Sequence, residues 1–194
     1  MTGISALCDY CGSSNHVAPG YLEAARRVGL EAAARGIGIV FGGGRVGMMG
    51  AVAEGALEAG GEVIGIIPNH LQEQEVGHDG LTRLEIVDSM HVRKMRMFEL
   101  SDAFCALPGG LGTLDETFEI VTWKQLGLHD APVLLVNLDG YWDPLLEMVA
   151  HQAEAGFVRP QHRQLFQVVD GIEALFEALA AAEPPSVKVD SRRL

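Results

Sequence analysis

The feature of this sequence that most restricts its fold is a regular alternation of short apolar runs and longer amphipathic segments. Short apolar strands that alternate with helices imply βαβ units and a parallel sheet that is covered on both faces. The predicted strands are, in order, ISALCDYC, GIGIVFGGG, EVIGIIP, RLEIVDS, DAFCALP, APVLLVNL and FQVV. The sequence therefore predicts a single doubly wound α/β domain with a mainly parallel sheet of about seven strands.

Helical spacing of apolar residues fills the stretches between these strands. The predicted helices cover Tyr21 to Arg35, Met48 to Ala59, Met90 to Leu100, a segment that begins near Thr113, Asp143 to Glu154, and residues 171–182. The polar segment 69–81 is predicted to be a loop. One Rossmann-like nucleotide-binding domain is expected over 1–182, and the tail 183–194 is expected to be disordered because it has little apolar surface to bury.

Composition limits the partners of such a domain. The net charge of −12 argues against binding to nucleic acid or to an anionic membrane surface. No apolar run reaches the roughly 18 residues of a membrane span, and no basic stretch precedes an apolar signal core. The expected location is the cytoplasm. A local basic cluster from Arg93 to Arg96 still allows a small anionic ligand.

The cysteines form one C-x-x-C pair, Cys8 and Cys11, and a third cysteine, Cys105, stands alone. A thioredoxin-type pair opens a helix, whereas this pair ends the first predicted strand and is followed by GSS. A zinc site would need a second pair. We therefore interpret these cysteines as small packing residues.

Two glycine-rich loops follow predicted strands. In FGGGRVGMMG, the residues Gly42, Gly44 and Gly47 satisfy the dinucleotide pattern G-x-G-x-x-G. The pattern follows the second strand instead of the first, and the acidic residue expected at the end of the next strand is missing. An NAD(P) site is therefore disfavoured. Two other roles for these glycines stay open: to let a different nucleotide lie close to the backbone, or to allow tight packing of the helix against the strand.

The second loop, LPGGLGT, ends the fifth predicted strand. Its glycines allow backbone N–H groups to converge on one point, and the positive end of the following helix attracts an anion. The hydroxyl of Thr113 adds a donor. No Lys-Ser/Thr pair follows at Walker A spacing, so a monophosphate ester fits this loop better than a triphosphate.

Glu116 has two interpretations. The sequence from Thr113 to Glu116 is T-x-x-E, the capping box, in which the glutamate returns a hydrogen bond to the helix cap. From spacing alone this structural role is favoured over catalysis. Glu119 lies one helical turn further on the same face and offers a second carboxylate near the loop.

Arg93 shares a helical stripe with Met90 and Met97, which suggests a half-buried position instead of a solvated one. The fourth and fifth strands are expected to be neighbours because they are consecutive. Arg93 and Glu116 would then approach the same crevice from two adjacent carboxyl ends.

PGGLGTLDE, preceded by MHVRK, resembles the paired motifs P-G-G-x-G-T-x-x-E and M-x-x-R-K of the LOG (Lonely Guy) family. The likeness extends from CGSS through FGGGRVGMMG and VIGIIP to TWKQLGLHDAPV. The resemblance implies a cytokinin riboside 5′-monophosphate phosphoribohydrolase, which cleaves the N-glycosidic bond of a nucleoside 5′-monophosphate to give free base and ribose 5-phosphate. AMP is another candidate substrate. The resemblance also implies a homodimer. Hydrolysis of this bond by such residues requires no metal or organic cofactor.

Motif matching extends this resemblance to individual residues. Arg93 and Glu116 would be the catalytic pair. The implied substrate-binding residues are Glu75, Met90, Lys94, Gly109, Gly110, Leu111, Gly112, Thr113, Leu114, Asp115 and Thr122. Two details depart from the pattern: Asp115 stands where many relatives have glutamate, and the segment around Glu75 differs from the plant type.

The residue types agree with glycoside hydrolysis, in which positive charge develops on the sugar and negative charge on the departing base. A carboxylate can stabilise the sugar or orient water, and a guanidinium can position charge without donating its proton. A non-catalytic module that binds nucleoside monophosphates, with Glu116 only as a helix cap, is the main alternative.

Overall fold

The computed structural model describes residues 3–72, 78 and 80–187. Seven parallel strands form one sheet. They are β1 (Ala6–Tyr10), β2 (Gly38–Phe41), β3 (Val63–Pro68), β4 (Arg83–Val87), β5 (Ala103–Ala106), β6 (Val133–Val136) and β7 (Gln167–Val169). The predicted doubly wound α/β fold is confirmed.

Helices connect the strands and lie on both faces of the sheet. They are α1 (Pro19–Ala34), α2 (Gly47–Glu58), α3 (Asn69–Gln72), α4 (Met90–Glu99), α5 (Leu111–Gln125), α6 (Asp143–Glu154) and α7 (Gly171–Ala181). Most boundaries differ from the sequence prediction by one or two residues, and two of the differences lie at loops of interest. The first residues of the expected loop 69–81 form the single turn α3, and α5 begins two residues before Thr113, directly after the glycines of its loop.

The strand order β4-β3-β2-β1-β5-β6-β7 contradicts the expectation that the fourth and fifth strands are neighbours. After β4 the chain returns to the middle of the sheet and places β5 on the free side of β1. This reversal of direction is the topological switch of a doubly wound sheet, and it lies between β1 and β5. The crevice at the carboxyl ends of these two strands is therefore the expected ligand site.

Two apolar layers cover the sheet. One lies under α1, α2 and α7 and includes Phe41, Met48 and Leu175. The other lies under α4, α5 and α6 and includes Phe98, Phe104 and Trp142. Within the described ranges, each helix is too short or too polar to cross a membrane.

The cysteines have the predicted packing role, since Cys8, Cys11 and Cys105 are all buried and unbridged. The start of the tail is in contact with the domain, because Ser186 donates backbone and side-chain hydrogen bonds to Asp130. The remainder of the tail, 188–194, lies outside the described residues. The domain boundary at 182 stays a prediction.

Candidate active site at the topological switch

A buried ion pair joins the two residues that motif matching selects. Nη1 of Arg93, on the first turns of α4, donates to Oε1 of Glu116, on α5, at 3.0 Å. Their side chains are only 10% and 11% exposed. The strands that precede these two helices, β4 and β5, are separated by three other strands, so the pair does not form between adjacent strand ends as predicted. Instead, Arg93 extends sideways over the end of β3, where its Nε donates to the carbonyl oxygen of Ile66 at 3.1 Å.

Thr113 is not the N-cap of α5 and Glu116 does not bond back to it, so the capping-box prediction is wrong. The cap position is Gly110, which offers no side chain, and Thr113 is already the third residue of the helix. Thr113 is buried against the loop: a methyl group added to Gly109 would lie 2.1 Å from its Oγ1. The carboxylate of Glu116 is therefore turned to Arg93 and not back to the helix start.

The first turn of α5 has backbone N–H groups without a side-chain cap. The intrahelical hydrogen bonds begin with Leu114, whose N–H donates to Gly110. The amides of the preceding residues, 111–113, have no partner of this kind and lie at the positive end of the helix. Such a helix start, reached through a glycine loop, is suited to a phosphate group.

Burial is the main reason that the pKa of Glu116 is raised to about 7. The positive charge of Arg93 lowers this pKa, Asp115 and Asp9 raise it, and Lys94 lowers it. Desolvation therefore outweighs the ion pair. The carboxyl group gains and loses its proton close to neutral pH, which is the property of a group that exchanges protons in catalysis.

A second ionic cluster borders this pair. Nζ of Lys94 donates to Oδ2 of Asp115 at 3.2 Å and to Oε1 of Glu119 at 3.0 Å. Burial lowers the pKa of Lys94, but the hydrogen bonds with the two carboxylates outweigh it, and the pKa is raised. Lys94 is thus a fixed cation that links α4 to α5.

The other predicted substrate-binding residues differ in how far they are buried. Met90 and Leu114 are half-buried, whereas the side chains of Leu111 and Thr122 are exposed. Thr122 lies almost one turn beyond Glu119 along α5, and its role stays a prediction. Glu75 lies outside the described residues.

A cavity of about 240 Å³ opens between the loop after β1 and the glycine loop after β5. Ser13 and Ser14 form one wall, and Gly109 and Gly110 form the opposite wall. Tyr141 also lines this cavity, and its Oη donates to the carbonyl oxygen of Gly109 at 2.7 Å, which fixes the glycine loop. The cavity lies at the switch point, next to the open start of α5.

Asp9 is a charged residue near this crevice that the sequence analysis did not select. It lies inside β1 and is 2% exposed. Its Oδ1 accepts a hydrogen bond from the thiol of Cys105 at 3.3 Å, and no described residue lies within ordinary hydrogen-bond geometry of its Oδ2. Burial raises the pKa of Asp9 to about 6. An acid in the middle of an apolar strand, in ALCDYC, was the available signal.

We expect Asp9→Asn to remove a pH dependence from the stability of the fold. The pKa of Asp9 is raised from 3.8 to about 6 on folding, so its stabilising effect is complete below the unfolded-state value and is lost as the pH rises through about 6. A shift of this size corresponds to about 3 kcal/mol. Relative to the unaltered chain, the variant should gain stability between about pH 4 and pH 8 in denaturant unfolding. An identical difference at both pH values would contradict this expectation.

The comparisons with known proteins agree with this site. Residues 49–179 match a family model described as "Possible lysine decarboxylase". A curated relative from Oryza sativa subsp. japonica, "Probable cytokinin riboside 5'-monophosphate phosphoribohydrolase", is 48% identical over 160 residues, which cover 82% of this chain and 70% of the relative. A cytokinin riboside 5′-monophosphate phosphoribohydrolase from Arabidopsis thaliana is 39% identical over 187 residues, 96% of this chain and 88% of the relative.

Solved structures support the fold alone. The molybdenum cofactor binding protein from Rippkaea orientalis superimposes with a TM-score of 0.68 at 22% identity, over 90% of this chain and 95% of that one. The family model covers β3 to β7, the glycine loop after β5 and the Arg93–Glu116 pair, and the alignment with the Arabidopsis thaliana relative extends over 96% of the chain. On that evidence, the chain belongs to the LOG family of cytokinin riboside 5′-monophosphate phosphoribohydrolases.

Proposed function

We propose that this chain hydrolyses the N-glycosidic bond of a nucleoside 5′-monophosphate, of the cytokinin type or AMP, to free base and ribose 5-phosphate. The observation that supports this most directly is the buried Arg93–Glu116 pair beside the uncapped start of α5. A carboxyl group with a pKa of about 7 lies there within a helix turn or two of a phosphate-binding loop.

The geometry suggests a division of roles between loop and pair. The amides at the start of α5 and the adjoining cavity hold the phosphate, which places C1′ of the ribose near Glu116. Among the described residues, Arg93 binds Oε1 of Glu116, and Oε2 is left for sugar or water. As a carboxylate, Glu116 stabilises the oxocarbenium-like ribose. It also accepts a proton from the attacking water while the water oxygen forms its bond to C1′. The C–N bond breaks, and the base leaves with a proton from solvent.

The description of the family model names another reaction, lysine decarboxylation, and this site does not suit it. Pyridoxal phosphate, the cofactor of such enzymes, needs a lysine amine that can form a Schiff base. The amine of Lys94 is held by two carboxylates, and Nζ of Lys124 donates to the carbonyl oxygen of Ala131 at 2.7 Å. Neither lysine has the setting of a cofactor-binding residue.

A homodimer, as the resemblance implies, and a cytoplasmic location, as the composition suggests, are part of the proposal. A groove between α4 and α5 supports the dimer, since Val92, Met95 and Trp123 present apolar surface along it. Val92 is 43% exposed and adds to this contiguous apolar surface.

The test of the proposed function is release of free base from AMP and from isopentenyladenosine 5′-monophosphate. We expect cleavage of the monophosphates and at least about 100-fold lower kcat/KM for the matching ribosides, because binding energy from the phosphate is used to orient the ribose. A purely binding module would retain the monophosphates without releasing base. Equal cleavage of ribosides would contradict the role of the glycine loop.

A further inference from the structure

The first glycine of the loop after β2 lies directly against the guanidinium of Arg93. A Cβ atom added to Gly42 would be 1.7 Å from Nη2 of Arg93 and 2.9 Å from its Cζ. Both distances are shorter than real Cβ contacts allow. We infer that Gly42 is a positioning residue for hydrolysis: its missing side chain is the space in which Arg93 lies when it holds Glu116. This inference rests on the proposed function.

Three sides of the guanidinium are fixed. Nε donates to the carbonyl oxygen of Ile66 on β3, Nη1 donates to Glu116 on α5, and Nη2 lies over the backbone of Gly42 at the end of β2. The guanidinium is planar and rigid, so a displacement at one edge moves the other two. The position of Arg93 over Glu116 is therefore set by the ends of two strands as well as by its own helix.

The conformation of Gly42 does not itself require glycine. Its φ lies outside the left-handed region, in contrast to Gly43 at φ +76° and Gly47 at φ +63°. A Cβ on Gly47 would collide with the backbone of Ser13 at 2.5 Å, so that glycine serves packing between loops. Internal contacts thus account for Gly42 and Gly47 of the dinucleotide-like pattern, and the three heavy atoms nearest to a Cβ at Gly42 all belong to Arg93.

Gly42→Ala should displace the guanidinium by more than about 1 Å and weaken its bond to Glu116. We expect kcat for a nucleoside monophosphate to fall about 100-fold, because a misplacement of this size has effects of that order. KM should change less than about threefold, since the phosphate-binding loop follows β5 and not β2. Unchanged kcat would overturn the inference.

A matched control is available on the same strand. A Cβ added to Gly38, at the other end of β2, would meet its nearest neighbour, the carbonyl oxygen of Glu62, at an ordinary 3.6 Å. Gly38→Ala should therefore keep kcat within about twofold of the unaltered chain. A comparable loss in both variants would mean that alanine disturbs β2 in general, and would also overturn the inference.

The deciding experiment is a double-mutant cycle with Arg93→Ala. Once the guanidinium is removed, Gly42→Ala should cause no further loss of kcat, and the midpoint of thermal unfolding should stay level or rise because alanine restricts the unfolded chain. Additive losses in the double variant would overturn the inference. If the Gly42→Ala variant does not fold, the inference predicts that the double variant does fold, because the guanidinium that collides with the new side chain is gone. A double variant that fails to fold, while Arg93→Ala alone folds, would also overturn the inference.

The stability arm of this cycle separates the two proposals. Unfolding midpoints can be measured whether or not base is released. If the two substitutions are non-additive in their effect on the unfolding midpoint, but no variant releases base, the contact between Gly42 and Arg93 is supported and the hydrolase function is rejected. If the protein releases base, but the two substitutions are additive in both the unfolding midpoint and kcat, the hydrolase function is supported and the role of Gly42 is rejected.

Discussion

Glu116→Gln is expected to reduce kcat for base release by about 10³-fold. Glutamine has nearly the same shape, but it accepts no proton from water and places no negative charge beside the developing oxocarbenium ion. The measurement is the rate of free adenine release from AMP at saturating substrate. A variant that keeps more than about a tenth of kcat would reject the catalytic role of this carboxylate.

The fold should tolerate this change. The side-chain oxygen of glutamine can accept the hydrogen bond that Nη1 of Arg93 donates to Glu116. The pKa of Glu116 is already about 7, so the native structure accommodates a neutral group at this position near neutral pH. Glu173→Gln is a suitable control, because Glu173 also pairs with an arginine, Arg27, but on the protein surface. Its kcat should match that of the unaltered chain.

The order of elements was predictable because each strand is a short apolar run and each helix has its own periodicity. The position of β5 was not predictable from neighbouring sequence. Strands β4 and β5 are consecutive in the chain, yet three strands separate them in the sheet. The switch in direction is decided by how helices distribute over the two faces, which is a property of the whole domain.

The site residues that belong to a recognisable motif could be predicted from the sequence. Those that contribute only through packing could not. The motifs gave Arg93 and Glu116, and the structure pairs them. Spacing alone suggested a cap for Glu116, because T-x-x-E is the same whether the helix begins at Thr113 or, as here, at Leu111. The contact of Gly42 with Arg93 crosses from β2 to α4, so no local pattern could reveal it.

The second large effect is expected for Arg93→Ala, with a loss of about 10² to 10³-fold in kcat/KM at neutral pH. In the unaltered chain, activity should rise as the pH passes through about 7, because Glu116 works as a carboxylate and its pKa is about 7. The positive charge of Arg93 lowers that pKa. Without it, the acidic limb of the pH profile should move to higher pH, and the loss should be greater at about pH 6 than at about pH 9.

The direction of this shift separates two roles of Arg93. If it only bound the phosphate, its removal would raise KM and leave the limb where it was. If Arg93 instead positions Glu116 and favours its ionised form, the acidic limb moves to higher pH. Added guanidinium ion should then restore part of kcat by entering the space over Gly42. Arg96→Ala on the same helix is the control, since Arg96 pairs with Glu85 and Glu99 away from Glu116. A limb that stays near pH 7 in Arg93→Ala would show that burial alone sets the protonation of Glu116.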